Sequence, residues 1–397
     1  MDGYRMDLSK GFTQNNTLGN IGAWSAYDQS RINILTDYKD HLQGVAPGAY
    51  MILEHFADNS EETALANGGF MLWGNINNDY SEAVMGYGSN FANISHQNRG
   101  WNDPNLVGYM ESHDEERLMY SASEFGNSNG TYDVTDLNTG LSRVEAAACL
   151  FLPIPGPKMI WQFGELGYDF SINYCEDGTI NENCRTGNKP IRWDYLENNN
   201  RKRVYKVMAA LNHLKKTEPA FSTGDFNMDT GGFGKRIHLN HPSMNVTIVG
   251  NFGVTPIDMV PGFQNTGTWY DYFTGEAIEV NDLNASFNYQ AGEYHLYSTV
   301  QLETPIIDTN VEDFKLSDGK VYPNPFKNEV TISSNQLSLS GEIIISDLTG
   351  KVVKQVLIDG QRQFKVSIPT DDIARGTYVI SWSYDKGLSN SRLLIKE

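Results

Sequence analysis

Two rhythms of apolar residues divide this 397-residue chain. Up to about Thr217, short apolar runs alternate with amphipathic stretches, the pattern of βα units in a parallel sheet. It predicts strands over Gly3–Leu8, Tyr50–Leu53, Gly69–Trp73, Leu106–Met110 and Lys158–Phe163. Helices are expected over Ser25–Asp40, Ser60–Ala66, Ser142–Phe151 and Arg201–Lys216, with polar clusters such as Asn59-Ser60-Glu61-Glu62 as starts. Beyond Thr217 the runs RIHLNH, NVTIVGNF, TWYDYFTGE and EYHLYSTV are all strand-like and separated by Gly, Asn and Pro turns. An acidic, weakly patterned stretch, Thr304–Lys320, reads as a linker. After it, NEVTIS, EIIISD, KVVKQVLI, QFKVSI, TYVISWSY and SRLLIK suit a small β-sandwich.

Charge separates the tail from the rest. The formal net charge is −19. Residues 321–397 hold nine Lys/Arg against eight Asp/Glu, so residues 1–320 carry −20. So acidic a chain repels phosphate backbones, which argues against nucleic acid as a partner. The most apolar stretch, Ala146–Trp161, is broken by three prolines and is too short to span a bilayer. Of three cysteines, Cys149 lies in an apolar helical run and reads as inert core. Cys175 and Cys184 flank a short polar loop, which allows either a loop-closing disulfide or two free thiols.

Chemistry is suggested where apolar runs end in acids. GYRMDL puts Arg5 and Asp7 on one face of a strand, AYMIL ends in Glu54, and LVGYM leads into Glu111, His113 and Asp114. In a (β/α) barrel the C-terminal strand ends converge on the active site, so these side chains would meet. Two carboxylates facing one bond are what glycoside hydrolysis needs, one ionised and one protonated. Arg5 would lower the pKa of Asp7, while Glu54 follows an apolar run of the kind that raises one. Acids at strand ends are also common as solvated loop residues or helix caps.

The residues themselves narrow the choice. DGYRMDLSK, LEHFAD and ESHDEER resemble three short signatures of the α-amylase superfamily, glycoside hydrolase family 13, and PGPKMIWQFGELGYD is similar to its eighth strand and following loop. RWDYLENNNRKRVYKVMAALNHLKKTEPAF resembles its last barrel helix, leading into a C-terminal β-domain. The resemblance implies an α/β fold: strands four to eight of a (β/α)8 TIM barrel over residues 1–216, then two all-β sandwich domains. These would be a β-domain over 217–299 and, after a linker over 300–320, the domain of 321–397. It implies a retaining glycoside hydrolase of the α-amylase type, acting on α-glucosidic bonds of starch-like glucans, with Asp7 as nucleophile and Glu54 as general acid/base. Asp114 would be the third carboxylate, with His113 and Arg5 beside the acids and Lys10 touching a neighbouring sugar. Gly11 and Ser112 depart from common family residues and leave a glucanotransferase or branching enzyme open. A non-catalytic cell-surface glycan-binding protein is the reading from another class.

Absences matter too. The family's third-strand signature has no counterpart, and the opening MDGYRMDLSK lacks a basic start followed by an apolar stretch. The expectation is an N-terminally truncated chain, with its signal peptide and first strands missing and little activity of its own. The tail segments VYPNPFKNEVTIS, IIISDLTGKVV, ARGTYVISW and RLLIKE resemble the C-terminal sorting domain of the type IX secretion system of Bacteroidetes. That implies a secreted or cell-surface protein whose partners are an α-glucan and the secretion machinery.

Other residues have plainer readings. Trp73, Trp101, Tyr87 and Phe91 could stack on sugar rings but are better read singly as buried anchors. Trp161 reads as barrel core and Glu165 as a loop-structuring residue. Asp58, Asp103, Asp133 and Asp136 show no spaced ligand series, so they read as solvated acids, and Ca²⁺ is implied at most for a full-length parent. No metal role falls to His41, His55 or His96.

Overall fold

The computed structural model describes residues 2–307, 320–383 and 389–397. They fall into two compact units, Met1–Asp308 and Thr309–Glu397. In the first, strands β1 (Gly3–Met6), β2 (Tyr50–Leu53), β3 (Met71–Asn75), β4 (Leu106–Tyr109) and β7 (Lys158–Met159) pair in that order, all parallel. β5 (Ser128–Asn129) and β6 (Tyr132–Asp133) form a small hairpin aside. The main sheet matches the five expected strands, some shorter by a few residues. Among the described residues β1 pairs only with β2 and β7 only with β4, so both edges of the sheet are open.

Among the described residues seven α-helices lie between or after these strands: α1 (Ile21–Ser25), α2 (Gln29–Val45), α3 (Asn59–Asn67), α4 (Asn77–Met85), α5 (Leu118–Phe125), α6 (Leu137–Cys149) and α7 (Asn199–Thr217). Their starts follow elementary chemistry. Asp28, Asp58, Asp136 and Asn198 each turn a side-chain oxygen onto the free N–H groups at the start of α2, α3, α6 and α7. Of the seven, α4 and α5 lie outside the expected helices, and α1 shares only Ser25 with one.

After α7 comes an antiparallel sheet ordered β13-β12-β15-β10-β9-β8. Its strands are β8 (Phe226–Asp229), β9 (Gly234–Leu239), β10 (Val246–Asn251), β12 (Gly267–Asp271), β13 (Ala277–Val280) and β15 (Tyr294–Ser298). β11 (Ile257–Met259) and β14 (Phe287–Tyr289) pair separately. The change of secondary structure at Thr217 is not a gap in packing. Leu150 and Phe151 from the α/β part share one buried cluster with Ile237, Ile248 and Leu296 from the β part. Arg143, fully buried on α6, bridges the two: Nη2 donates to Ala83 O and Phe252 O, both at 2.6 Å, and Nη1 to Gly253 O at 3.2 Å. Buried Lys235 does the same from the other side, donating to Ser89 O at 2.8 Å and Thr230 O at 2.6 Å. Burial pulls that lysine down to about 8.

In the second unit β16 (Lys320–Tyr322), β17 (Glu329–Asp347), β18 (Val352–Pro369), β19 (Gly376–Ser383) and β20 (Ser389–Lys396) form one five-stranded sheet. A single apolar cluster collects Val330 and Ile332 from the first part of β17 with Ile343 and Ile345 from the second. The long β17–β18 hairpin therefore folds across itself around one core, as a small sandwich does. Most of the expected linker, residues 308–319, lies outside the described residues.

Candidate active site

The parallel register sets the first two acids side by side. Arg5 stands opposite Ile52 and Met6 opposite Leu53, so Asp7 and Glu54 leave their strands at the same level. One guanidinium serves both: Arg5 Nη1 donates to Asp7 Oδ1 at 3.1 Å, and Nη2 stands 3.2 Å from Glu54 Oε2. Glu54 Oε2 also accepts the Leu8 backbone N–H at 2.9 Å. Asp7 is open, its side chain 75% exposed, whereas that of Glu54 is 12% exposed. A hydrogen bond with the Glu54 carboxyl, and then the Arg5 guanidinium, hold Asp7 below the usual carboxylate range. Beneath them Arg5 lies on the Trp73 ring, 4.8 Å from its centroid, and Trp73 packs on Tyr109 at 4.9 Å. Trp73 is thus the floor under Arg5 rather than an open stacking face.

The backbone around these acids is unusual. Leu8 (φ 44°), Phe56 (φ 50°) and Phe163 (φ 57°) adopt the left-handed conformation just beyond the ends of β1, β2 and β7. Such residues cost roughly 1–3 kcal/mol each and persist where their surroundings over-determine them. At Leu8 the turn delivers the N–H that Glu54 accepts. Behind it runs a fully buried relay: Ser9 Oγ to His55 Nδ1 at 2.8 Å, His55 Nε2 to Glu61 Oε1 at 2.7 Å, and Arg31 Nε to Glu61 Oε1 at 2.6 Å. Ser9 N and Oγ both reach Glu54 O, at 2.8 and 2.9 Å. The relay therefore fixes the main chain that carries Glu54. Lys10 lies along the same loop, donating to Phe56 O at 3.2 Å and Ser25 Oγ at 3.3 Å.

The acids after β4 are held differently. Glu111 is buried, accepts the Leu118 N–H at 2.7 Å, and is pushed up by that burial. Gly164 leaves room for this carboxylate, because a Cβ there would stand 2.5 Å from Glu111 Oε2 and would displace it. Glu115 accepts from Asn75 Nδ2 at 2.6 Å and from Ser112 Oγ, and burial raises it too. Glu116 accepts from Ser171 Oγ at 2.7 Å and Ile172 N at 2.8 Å. Asp114, 38% exposed, meets His113 Nε2 at 3.1 Å and Arg185 Nη2 at 2.7 Å. The clusters face one another: His113 helps to lower Asp7, and both Glu54 and Asp114 help to raise Tyr109 once burial has done so.

Arg5, Asp7, Glu54, His113 and Asp114 thus gather at the C-terminal ends of β1, β2 and β4, with Lys10 at the margin. Glu115, Arg185 and the Ser9–His55–Glu61–Arg31 relay were not legible as site components. Cys175 and Cys184 form a disulfide, and Arg185 follows it directly. Phe91 and Trp101 are buried anchors, and the Tyr87 hydroxyl donates to Phe125 O. Asp58 and Asp136 cap helices and Asp133 closes a turn on Thr135 N. Among the described residues no group of three or more His, Cys, Asp or Glu is placed to hold a metal ion.

The first unit is thus a parallel α/β sheet joined to an antiparallel β-domain, and the second is an all-β module with its own core. Residues 320–396 match the Secretion system C-terminal sorting domain, the type IX module of Bacteroidetes. The first unit's fold is similar to a solved structure of AmyP in complex with maltose, with 13% identity and a TM-score of 0.53 over 77% of this chain and 65% of that one. It is also similar to Eubacterium rectale Amy13B (12% identity, TM-score 0.50, 75% of this chain and 60% of that one). The type III pullulan hydrolase from Thermococcus kodakarensis gives 16% identity and a TM-score of 0.50, over 75% of this chain and 45% of that one. The chain therefore spans less than two thirds of the length of these structures. No curated protein matches it in sequence.

Proposed function

We propose that this chain carries the acid–base half of a retaining glycoside hydrolase for α-glucosidic bonds of starch-like glucans. The observation that carries the reading is the shared Arg5 guanidinium between an open Asp7 and a largely enclosed Glu54. The Arg5 guanidinium, hydrogen-bonded to Asp7, favours negative charge on that carboxylate, as a nucleophile needs. Asp7 would attack the anomeric carbon as Glu54 protonates the leaving oxygen. A glycosyl ester on Asp7 results, which water then hydrolyses with Glu54 as base. Asp114 and His113 would grip hydroxyls of the distorted sugar. The maltose-bound neighbour and the fold it shares support a glucan as substrate. Both sheet edges are open and Asp7 is exposed, so water is poorly excluded. We therefore expect slow turnover from this chain taken alone.

A mechanism-based fluoroglucosyl fluoride, which traps the ester, tests this without fast turnover. Digestion and mass spectrometry should find the sugar on the peptide containing Asp7, and Asp7→Asn should abolish it. Labelling elsewhere, or labelling that survives Asp7→Asn, sinks the assignment. The sorting domain supports export to the cell surface or beyond through type IX secretion. Deleting residues 321–397 should leave the protein inside a type IX-competent cell; unchanged export would refute that part.

A further inference from the structure

The loop after β7 brings a cation to Asp114 of the β4 cluster. Its base is tied down by Glu116, through Ser171 Oγ and Ile172 N. The Cys175–Cys184 disulfide closes its middle into a ring. Lys189 Nζ then donates to Cys184 O at 2.7 Å and Gly187 O at 2.9 Å, gripping the backbone on both sides of Arg185. Arg185 is therefore presented by a braced backbone, and only Nη2 of its guanidinium is spent, on Asp114 Oδ1. Its side chain remains 49% exposed beside that carboxylate.

A guanidinium donates only and a carboxylate accepts only, whereas each sugar hydroxyl does both. An acceptor fixed beside a multiple donor matches two neighbouring hydroxyls of a pyranose. One hydroxyl donates to Asp114 while the next accepts from Arg185.

We propose that Arg185 is a substrate-binding residue, delivered by the disulfide-closed loop, which with Asp114 recognises a vicinal diol of the glucan. This rests on the reading of Asp114 given above. Reduction of the disulfide would release the loop and uncouple Arg185 from Asp114.

The test is maltotriose binding to the oxidised full chain by calorimetry, alongside analogues lacking one hydroxyl of each adjacent pair in turn. Arg185→Ala should weaken binding about tenfold. It should also abolish the discrimination that the wild type shows against one of the deoxy analogues, a readout that a purely structural salt bridge would not move. Arg185→Lys should recover less than half of the lost free energy, because an ammonium lacks the planar fork. A reductant should weaken the wild type as much as Arg185→Ala does, and should leave that variant unchanged. Wild-type affinity and discrimination in Arg185→Ala overturn this proposal alone. Absence of maltotriose binding in the oxidised wild type overturns the glucan reading and this one with it.

Discussion

The two acidic clusters at the mouth of the sheet are held in opposite ways. Beyond β4, Glu111, Glu115 and Glu116 receive hydrogen bonds from Leu118, Asn75, Ser112, Ser171 and Ile172, all from within the protein. Beyond β1, Asp7 is engaged only along its Arg5–Glu54 side and keeps most of its surface open. A carboxylate with its acceptors filled by the protein braces a loop, whereas one with spare acceptors and a fixed cation beside it is poised for a ligand.

Substitutions can break this contrast. The largest effect is expected at the open pair. Asp7→Asn and Glu54→Gln should each lower the rate of maltotriose cleavage by about 10²–10⁴-fold, in the range of lost acid–base or nucleophilic groups. The melting temperature should stay within a few degrees. A large loss of stability instead would put these acids with the bracing set. Next comes Glu111→Ala, which leaves the Leu118 N–H without its partner in a buried site and should cost roughly 1–3 kcal/mol in denaturant unfolding. Glu111→Gln keeps an acceptor there and should cost less. Asp28→Ala removes the cap of α2 and should cost about 1 kcal/mol, with no effect on cleavage. The smallest effect concerns pH. Asp7 titrates below its ordinary value, so the acid limb of the rate profile should lie below the usual carboxylate range. Arg5→Met removes one cause of that lowering and should move the limb to higher pH. An unmoved limb would show that Arg5 does not tune Asp7.

The sequence made one half of this contrast readable. Strands such as Tyr50–Leu53 announce themselves by unbroken apolar runs, and in a parallel sheet whatever follows each run emerges on the same side. Asp7, Glu54 and Asp114 were visible for that reason. α4 was missed because Asn77-Asn78-Asp79 reads as a turn, and its helical face is decided by burial of Tyr80, Ala83 and Val84. α5 is short, and its start carries no side-chain cap. Arg185 lies 71 residues from the acid it meets, and no local pattern encodes that contact. Nor did spacing separate Glu115 from Asp114. Which of two adjacent acids turns inward depends on Asn75, a residue on another strand.

The shared core across Thr217 bears on how such a chain can be rearranged. Cutting there would strand the Arg143 guanidinium without Phe252 O and Gly253 O and would lay bare Leu150 and Phe151. The α/β part and its β-domain should therefore be transplanted or inherited as one piece. Shuffling that swaps one for a foreign counterpart would succeed only where the newcomer brings matching carbonyls and a matching apolar face. The tail, with its own buried cluster, is the part that can be grafted onto an unrelated passenger.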